Sequence, residues 1–493
     1  MVKTFIFIQV MLCWFFVDPG LTPAQEWEEE SKWKISGYFK NASGWLISEE
    51  NAYEMLKCEN IFQLEPTYKV SEHIKIFGVF RAYYDAVFDL EKSGWTDEFR
   101  FKDEIRKHNA NTISDPVREF YADIRWDRFF IRLGKQQVAW GEAIGMKMLD
   151  VINPQDLREL NQLDFEDSNI PLWMANLIYY PPIMGTSLQI LLIPDIEPHY
   201  IPPPGYPFTP QPINLFQEFI DDGFLNLEKS PTVGKSVPQN IQNMEFGIKW
   251  YQNLPFLTYS LNYFYHWSDV PGLYTGSPVY SSPMPPGLPL NYELRYHRFH
   301  TLGGTFTKIF DSFFGLEGVS LKGEIAAHLN DRVTYAYTSL LSDPSNPFGI
   351  KMAKTDSLNY YLALDKFFFT DYYTMLQFFQ FISLDHKDGY LSFPTIRGVD
   401  WLNNKLIASS LDKVDNILSL YLSTDYFQER LLPNFLCVYS DDGAFWVRGK
   451  CKLKYSDNWY FSLGMNLYFG DESTALGQYH NQDNLFLEVK YGF

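Results

Sequence analysis

Residues 459–469 read WYFSLGMNLYF. In an extended chain, Trp459, Phe461, Leu463, Met465, Leu467 and Phe469 share one face, and Tyr460, Ser462, Gly464, Asn466 and Tyr468 share the other. The apolar face starts and finishes on an aromatic ring. That is the pattern of a strand about ten residues long that crosses a bilayer, with aromatic side chains at both lipid–water boundaries.

The same period recurs along the chain. Leu257 to Trp267 sets Leu, Tyr and Trp against Thr258, Ser260, Asn262, Phe264 and His266. Met244 to Tyr251, Val319 to Leu329 and Leu358 to Leu364 alternate too. Connections alternate in length: short turns such as Ser71-Glu72-His73, Trp126-Asp127-Arg128 and Ser456-Asp457-Asn458 take turns with long loops. A soluble sandwich also alternates, but it has no need of this rhythm or of aromatic ends. The expected fold is therefore all-β: a transmembrane antiparallel β-barrel of about 16–18 strands with long external loops. The segments Tyr373 to Leu384 and Leu431 to Ser440 leave the number open. At that size side chains do not fill the lumen, and water enters unless a loop folds inward. The last strand sets Leu485, Leu487, Val489, Tyr491 and Phe493 on one face, and the chain ends on Phe493. Such an aromatic end resembles the signal that outer-membrane barrels present to their assembly machinery.

Composition agrees. The 493 residues carry 18% aromatics, 29 prolines and a formal net charge of -19. Beyond the N-terminus no apolar run is long enough for a membrane helix. Lys3, the apolar run Phe5 to Val17, the breaker Asp18-Pro19-Gly20 and Thr22-Pro23-Ala24 read as a secretory signal peptide over 1–24, leaving 25–493 as a single barrel. Cys13 follows Leu12, where a lipoprotein signal wants a small residue, so no lipid anchor is expected. Cys58, Cys437 and Cys451 are too few and too scattered for a disulfide framework or a metal site. If Asp441-Asp442-Gly443 closes a hairpin, Cys437 faces about Val447 and not Cys451.

Three loops stand out. Residues 194–239 form a Pro-rich external loop containing Ile201-Pro202-Pro203-Pro204-Gly205-Tyr206-Pro207, and Asp269 to Tyr292 is a second. Proline stiffens both, and a surface lid and a pore-lining flap are both compatible with them. The third follows the strand of Phe130, Arg132 and Gln136, whose side chains point to the lumen while Ile131 and Leu133 face lipid. Trp140-Gly141 ends that strand, and Asn153-Pro154-Gln155-Asp156 predicts a capped helix running through Leu157, Arg158 and Leu160 to about Leu163. Residues 142–169 leave the external end of an outward strand, and we read them as a constriction loop; a helix on the rim is the alternative. Its candidate site residues are Trp140, Glu142, Asp150, Asn153, Asp156, Arg158 and Glu159.

Gly134-Lys135-Gln136-Gln137, Trp140-Gly141-Glu142-Ala143 and Leu149 to Glu159 resemble the signature of a Gram-negative family, domain of unknown function 1302. The likeness continues in Ser168 to Met174, in Ala82-Tyr83-Tyr84-Asp85-Ala86-Val87 and in the ending from Phe469 to Phe493. Lys135 departs from the family's usual Arg, which puts any bidentate role there in doubt. The resemblance implies a barrel in the bacterial outer membrane, distantly like alginate-export porins. It also implies work beside an RND-type inner-membrane permease and a periplasmic lipid-carrier-like protein. Outer-membrane lipid and the barrel assembly machinery would be its other partners. No catalytic residue, cofactor or substrate follows from it.

Face assignment makes Arg81, Asp85, Asp123, Arg125, Arg132, Gln136, Lys249, Lys322, Glu324, Arg448, Lys450, Lys452 and Lys454 lumen-lining, together with Lys490, Glu119, Glu245 and Glu488. Arg448, Lys450, Lys452 and Lys454 alternate along one strand, and a lysine facing lipid at mid-depth costs roughly 2–4 kcal/mol, so this register is strongly set. The ladder either favours anions or balances neighbouring acids. No nucleophile elbow, phosphate loop or dinucleotide fingerprint occurs. His297 and His300 fall on opposite strand faces, so no metal site is expected there. No basic recognition module supports nucleic-acid binding. The leading expectation is a transport channel for small hydrophobic or amphipathic molecules, not an enzyme. A passive porin or a structural casing for an electron-transfer partner is the alternative, and a barrel hydrolase is a third.

Overall fold

The computed structural model describes residues 31–48, 54–90, 116–202, 205–210, 225–227, 241–275, 290–336, 350–369, 371–387, 391–400, 405–410 and 412–493. Residues 1–24, where a signal peptide is expected, and much of 211–240 lie outside them.

Eighteen strands make the wall. In chain order they are β1 Trp33–Leu46, β2 Met55–Lys69, β3 Ile74–Asp85, β4 Val117–Trp126, β5 Phe129–Gln136 and β6 Leu172–Tyr179. There follow β7 Thr186–Ile193, β8 Glu245–Leu254, β9 Leu257–Trp267, β10 Arg298–Phe313, β11 Leu316–Ala336 and β12 Ile350–Phe368. The last are β13 Tyr372–Ser383, β14 Val414–Ser423, β15 Leu431–Ser440, β16 Phe445–Lys454, β17 Trp459–Phe469 and β18 Asn484–Gly492. Each pairs antiparallel with its chain neighbours, and β1 closes on β18 through Tyr38↔Gly492, Ala42↔Glu488 and Leu46↔Asn484. Closure removes every edge, the condition for strands to cross lipid. The upper end of the expected range is the observed number, and both uncertain segments are strands.

The outer surface shows why this closed sheet suits a bilayer. Phe62, Leu133, Leu261, Leu302, Ile325, Leu362, Leu376, Leu418 and Leu463 are exposed on strands all round the cylinder. Trp33, Trp126, Phe129, Tyr372, Tyr455 and Phe493 are exposed at the end with short turns, and Trp173, Phe445 and Phe469 at the other. The hairpin at Asp441–Gly443 sets Cys437 opposite Val447, and the three described cysteines are free.

Three local features shape the interior. Gly134 in β5 has φ +135°, and a Cβ there would lie 2.1 Å from the Phe120 carbonyl oxygen, so glycine is required beside β4. A bulge between Val79 and Phe80 shifts the β3–β4 register past Arg118 and turns that side chain into the barrel. Finally, β5 ends at Gln136, short of the expected Gly141: beyond it the Val138 and Trp140 N–H groups bond to the Asn153 and Asp150 side chains instead of a neighbouring strand.

The long loops also carry structure. Leu225–Leu227, Gly272–Thr275 and Leu290–Arg295 form a small sheet joining the two proline-rich loops, and Leu391–Asp400 pairs with Lys405–Ser410.

Candidate functional site

Residues 137–171, between β5 and β6, run inside the cylinder. The proof is the set of walls they touch. Trp140 packs on Phe264 of β9 and donates its indole N–H to Gln189 of β7 at 2.9 Å. Gly303 of β10 meets Leu149, and Leu149 also clusters with Tyr361 of β12 and Phe379 of β13. Gly145 abuts Leu436 of β15, and Gln162 bonds to Tyr468 of β17 at 3.0 Å. Lys40 of β1, Lys57 of β2 and Arg81 of β3 reach the same segment from the remaining side. Only a chain in the lumen reaches every sector of a closed wall.

The segment has an apolar half and an ionic half. In the first, Met148 and Leu149 are buried against Ala326, Tyr361, Ala363, Met375 and Phe379, with Ala143, Ile144 and Met146 half-buried beside Tyr373, Phe381, Ile417 and Tyr421. Wall side chains hold its backbone. The Glu324 carboxylate accepts the N–H groups of Glu142, Ala143 (2.9 Å) and Leu149 (3.1 Å). The Gln377 amide accepts from the Ile144 N–H at 3.1 Å and donates to the Ile144 carbonyl at 3.0 Å. Thr307 donates to Glu142 at 2.7 Å, and Lys249 reaches the Trp140 carbonyl.

In the ionic half, Lys57 pairs with Glu159 at 2.5 Å, and Asp167 takes Lys40 at 3.0 Å and Arg81 at 2.6 Å. Arg118 donates to the Asn169 carbonyl at 3.1 Å. Burial alone would raise the Asp167 carboxyl, but Lys40, Arg81 and Arg118 outweigh it and hold it well below the usual carboxylate range. A cavity of about 70 Å³ remains between this part of the loop and the wall, lined by Lys40, Arg81, Arg118, Arg158 and Tyr200 among others.

The predicted helix is absent. Asn153 through Leu163 is not helical: it holds a short strand at Arg158–Asn161 with Leu160 at φ +53°, and the only helix of the described loop is Phe165–Ser168. The backbone N–H groups that a helix would turn on itself bond elsewhere: Gln155 to His199 at 2.9 Å, Asp156 to the Ser168 carbonyl and Leu157 to the Tyr200 carbonyl. Asn153 is no cap. Its side chain accepts from Val138 at 2.7 Å and donates to the Ile170 carbonyl at 2.8 Å, fastening the outgoing chain to the returning one. A few tenths to about 2 kcal/mol of capping is outcompeted by these cross-chain bonds.

Of Asp150, Asp156 and Glu159, only Glu159 has an ion pair with a wall residue among the described contacts; Asp150 binds Lys147 and the Trp140 N–H, and Asp156 binds Arg158. Arg132 pairs across the sheet with Asp123 at 2.6 Å. In the ladder, Lys450 pairs with Glu488 at 3.0 Å and with Asp164 of the loop, which Arg448 also faces. Lys452 lies over Tyr460, and Lys454 pairs with Asp457 at the turn. The pairs match charge balance. Of the other lumen assignments, Lys322 pairs with Asp365, Asp85 accepts the Cys58 and Val87 N–H groups, and Arg125 lies over Phe130. Lys490 stacks on Tyr38, Gln137 donates to Glu119, and Glu245 accepts the Trp267 N–H.

The described part of the Pro-rich loop folds over this segment. Tyr200 bridges Asp156, and Phe208 is buried among Leu46, Leu56, Trp446, Tyr468 and Tyr479 at the barrel mouth. His199 donates its backbone N–H to the Asp269 carbonyl, and burial pushes its imidazole down to about 4. Burial pushes the Asp269 carboxyl up to about 8, and burial with Asp195 pushes Glu197 up to about 7. An unfolded aspartate titrates near 3.9, so the stability tied to Asp269 is full below about pH 4 and is lost as pH rises through about 8. Between pH 6.5 and 8 His199 stays neutral, so amide exchange over 195–200 should quicken beyond its intrinsic rise. Glu197 titrates in the same window, so Asp269→Asn should lower that dependence and Glu197→Gln/Asp269→Asn should flatten it; a wild-type loop with none contradicts the assignment.

No metal-binding group of three or more His, Cys, Asp or Glu occurs among the described residues. His297 binds Asp331 and His300 binds the Tyr263 hydroxyl, on separate faces.

The family model described as "Protein of unknown function (DUF1302)" matches residues 58–397. No curated protein matches the chain. Among solved structures, Pseudomonas aeruginosa OccK8 (OprE) is similar at 8% identity and TM-score 0.47, over 94% of this chain and 98% of that one. Salmonella typhi OmpF is similar at 10% identity and TM-score 0.41, over 94% and 97%. The outer membrane channel DcaP of Acinetobacter baumannii is similar at 8% identity and TM-score 0.38, over 94% and 97%. The closed barrel stands on its own strand pairing.

Proposed function

The chain belongs to the DUF1302 family of proteins of unknown function, and we propose that it is an outer-membrane channel whose inward loop selects small amphipathic or hydrophobic molecules. The observation that carries this reading is the division of the lumen. Ile144, Met146, Tyr373, Phe381 and Tyr421 present partly exposed apolar surface on one side, while the cavity on the ionic side is lined by Lys40, Arg81, Arg118 and Arg158 together with Glu59, Asp156 and Asp167, four cations to three acids. A sugar-like solute gains nothing from the first side and a hydrocarbon nothing from the second; a molecule with an apolar body and an anionic head meets both. Export together with an RND-type permease and a periplasmic lipid-carrier-like protein is the part of the proposal that rests on the family resemblance.

Purified protein in liposomes tests the reading. Efflux of a short-chain anionic amphipath should exceed that of a neutral sugar of equal size, and Met146→Glu should reduce the amphipath's advantage. Equal fluxes for the two solutes would count against selection by the loop.

A further inference from the structure

The end of the barrel with the short turns is divided into two arcs. Five successive turns, from β6–β7 round to β14–β15, carry a large apolar side chain at the tip: Met184, Phe256, Phe314, Phe369 and Phe427. In that order they are 95%, 65%, 94%, 88% and 76% exposed, all above the 61% of Leu261 on the lipid-facing wall. The remaining short turns carry charge at the tip. Glu72 lies between β2 and β3 beside Lys69, Asp127 and Arg128 join β4 to β5, and Asp457 pairs with Lys454 between β16 and β17.

Hairpin geometry does not ask for these rings. Phe314 sits at φ +48° and Phe369 at +49°, and Phe427, Gln428 and Glu429 follow one another at +56°, +57° and +62°. This is the left-handed region, which Gly, Asn and Asp enter readily and a bulky side chain does not. In a two-residue turn such as Phe314-Gly315 the usual first residue is Asn or Asp. Asp127 holds the same conformation, at +49°, in the charged arc. A ring that strains its turn and still stands this far into solvent points to a contact outside the barrel.

Lipid does not account for that contact. A bilayer surrounds the cylinder on all sides, and its boundary at this end is already lined from both arcs by Trp33, Trp126, Tyr372, Tyr455 and Phe493. The apolar tips occupy one arc only. Among the described residues, the exposed charges between them are Asp311, Glu317, Asp371 and Glu429 against Arg430, while the half-buried Lys308 and Lys366 lie over Phe310 and Phe368. An apolar patch with an acidic fringe is complementary to a protein face whose apolar centre is ringed by Lys and Arg. We propose that this arc docks a soluble periplasmic protein of that chemistry. The proposal rests on the reading of the chain as an outer-membrane channel, which sets the short turns in the periplasm.

Photocrosslinking in cells that make the protein natively tests it, with p-benzoylphenylalanine placed at Phe256, Phe314 or Phe427 and, as controls, at Glu72 or Asp457. The first three positions should crosslink to one soluble protein and the controls should not. That protein, purified and titrated onto the barrel in nanodiscs, should bind the double variant Phe314→Asn/Phe427→Asn at least about ten-fold more weakly than wild type. Its binding to wild type should weaken as salt rises. The double variant should keep wild-type conductance and melt no lower than wild type, since Asn suits both backbone positions. Unchanged affinity in the folded variant overturns the proposal, as do crosslinks confined to phospholipid, crosslinks to a second copy of the chain, or equal yields from both arcs. In intact cells a cysteine at Phe314 should be shielded from a maleimide too large to cross the outer membrane. Labelling there overturns the orientation and the dock together, whereas shielding without crosslinks overturns the dock alone. Efflux from liposomes that hold only the barrel reads selection by the lumen separately from both.

Discussion

Deleting Gly145 to Leu163 should leave a folded barrel whose single-channel conductance is severalfold higher than wild type. The wall does not depend on the deleted residues: every strand pair of the closed sheet lies outside them. What disappears is the material crossing the lumen, including Met148 and Leu149 with the wall cluster around Phe379, Ile152 with Trp140, and Glu159 with Lys57. An eighteen-stranded cylinder emptied of its loop encloses a continuous water path. Selection between amphipath and sugar should fall together with the rise in conductance. The deletion protein should still run faster on an unheated gel than after boiling, which separates an open barrel from an unfolded one. Unchanged conductance in a folded deletion protein would mean that the loop does not restrict the passage.

Glu324→Ala should unmoor the apolar half of the loop. The carboxylate is buried and accepts the backbone N–H groups of Glu142, Ala143 and Leu149. Alanine leaves these donors without their partner, at about 1–3 kcal/mol for each one that stays dry. Water entering the gap would recover part of that cost, so the loop should detach instead of the wall unfolding. Expected results are flickering conductance and proteolytic cleavage between Ala143 and Leu149, both absent from wild type. Glu324→Gln keeps an acceptor oxygen and should show a much smaller effect. A quiet, protease-resistant Glu324→Ala channel would show that the loop is held by packing alone.

Much of this could be read from residue patterns. Alternation sets Arg81, Lys249, Glu324, Arg448 and Lys450 on the faces from which they meet the loop, since a period of two is a rigid property of extended chain. It failed where the backbone departs from that period. Arg118 has the parity of lipid-facing Phe120 and turns inward only through a bulge, which no local sequence signal announces. The helix at Asn153 failed for another reason. Asn-Pro-Gln-Asp is a helix start in isolation, but His199, Ser168 and Tyr200 supply competing partners from elsewhere in the chain, and sequence spacing does not show them. Asp164 and Asp167, which meet the cations of the wall, lie just past the predicted helix, where no local pattern marks them. Acids near an inward loop, counted against unpaired basic rungs, would have been the signal.

The central claim, that residues 137–171 lie inside the barrel, is tested most directly by a short thiol–thiol crosslinker. The variant Lys57→Cys/Glu159→Cys places two thiols where the wall and loop side chains now meet. In outer-membrane vesicles the crosslinker should join them in high yield, seen as a proteolytic fragment pair that separates only after the link is cleaved. A cysteine at Arg158 should meanwhile resist bulky maleimides applied outside intact cells. Absence of the crosslink together with ready labelling at Arg158 would place the segment on the rim and contradict the account.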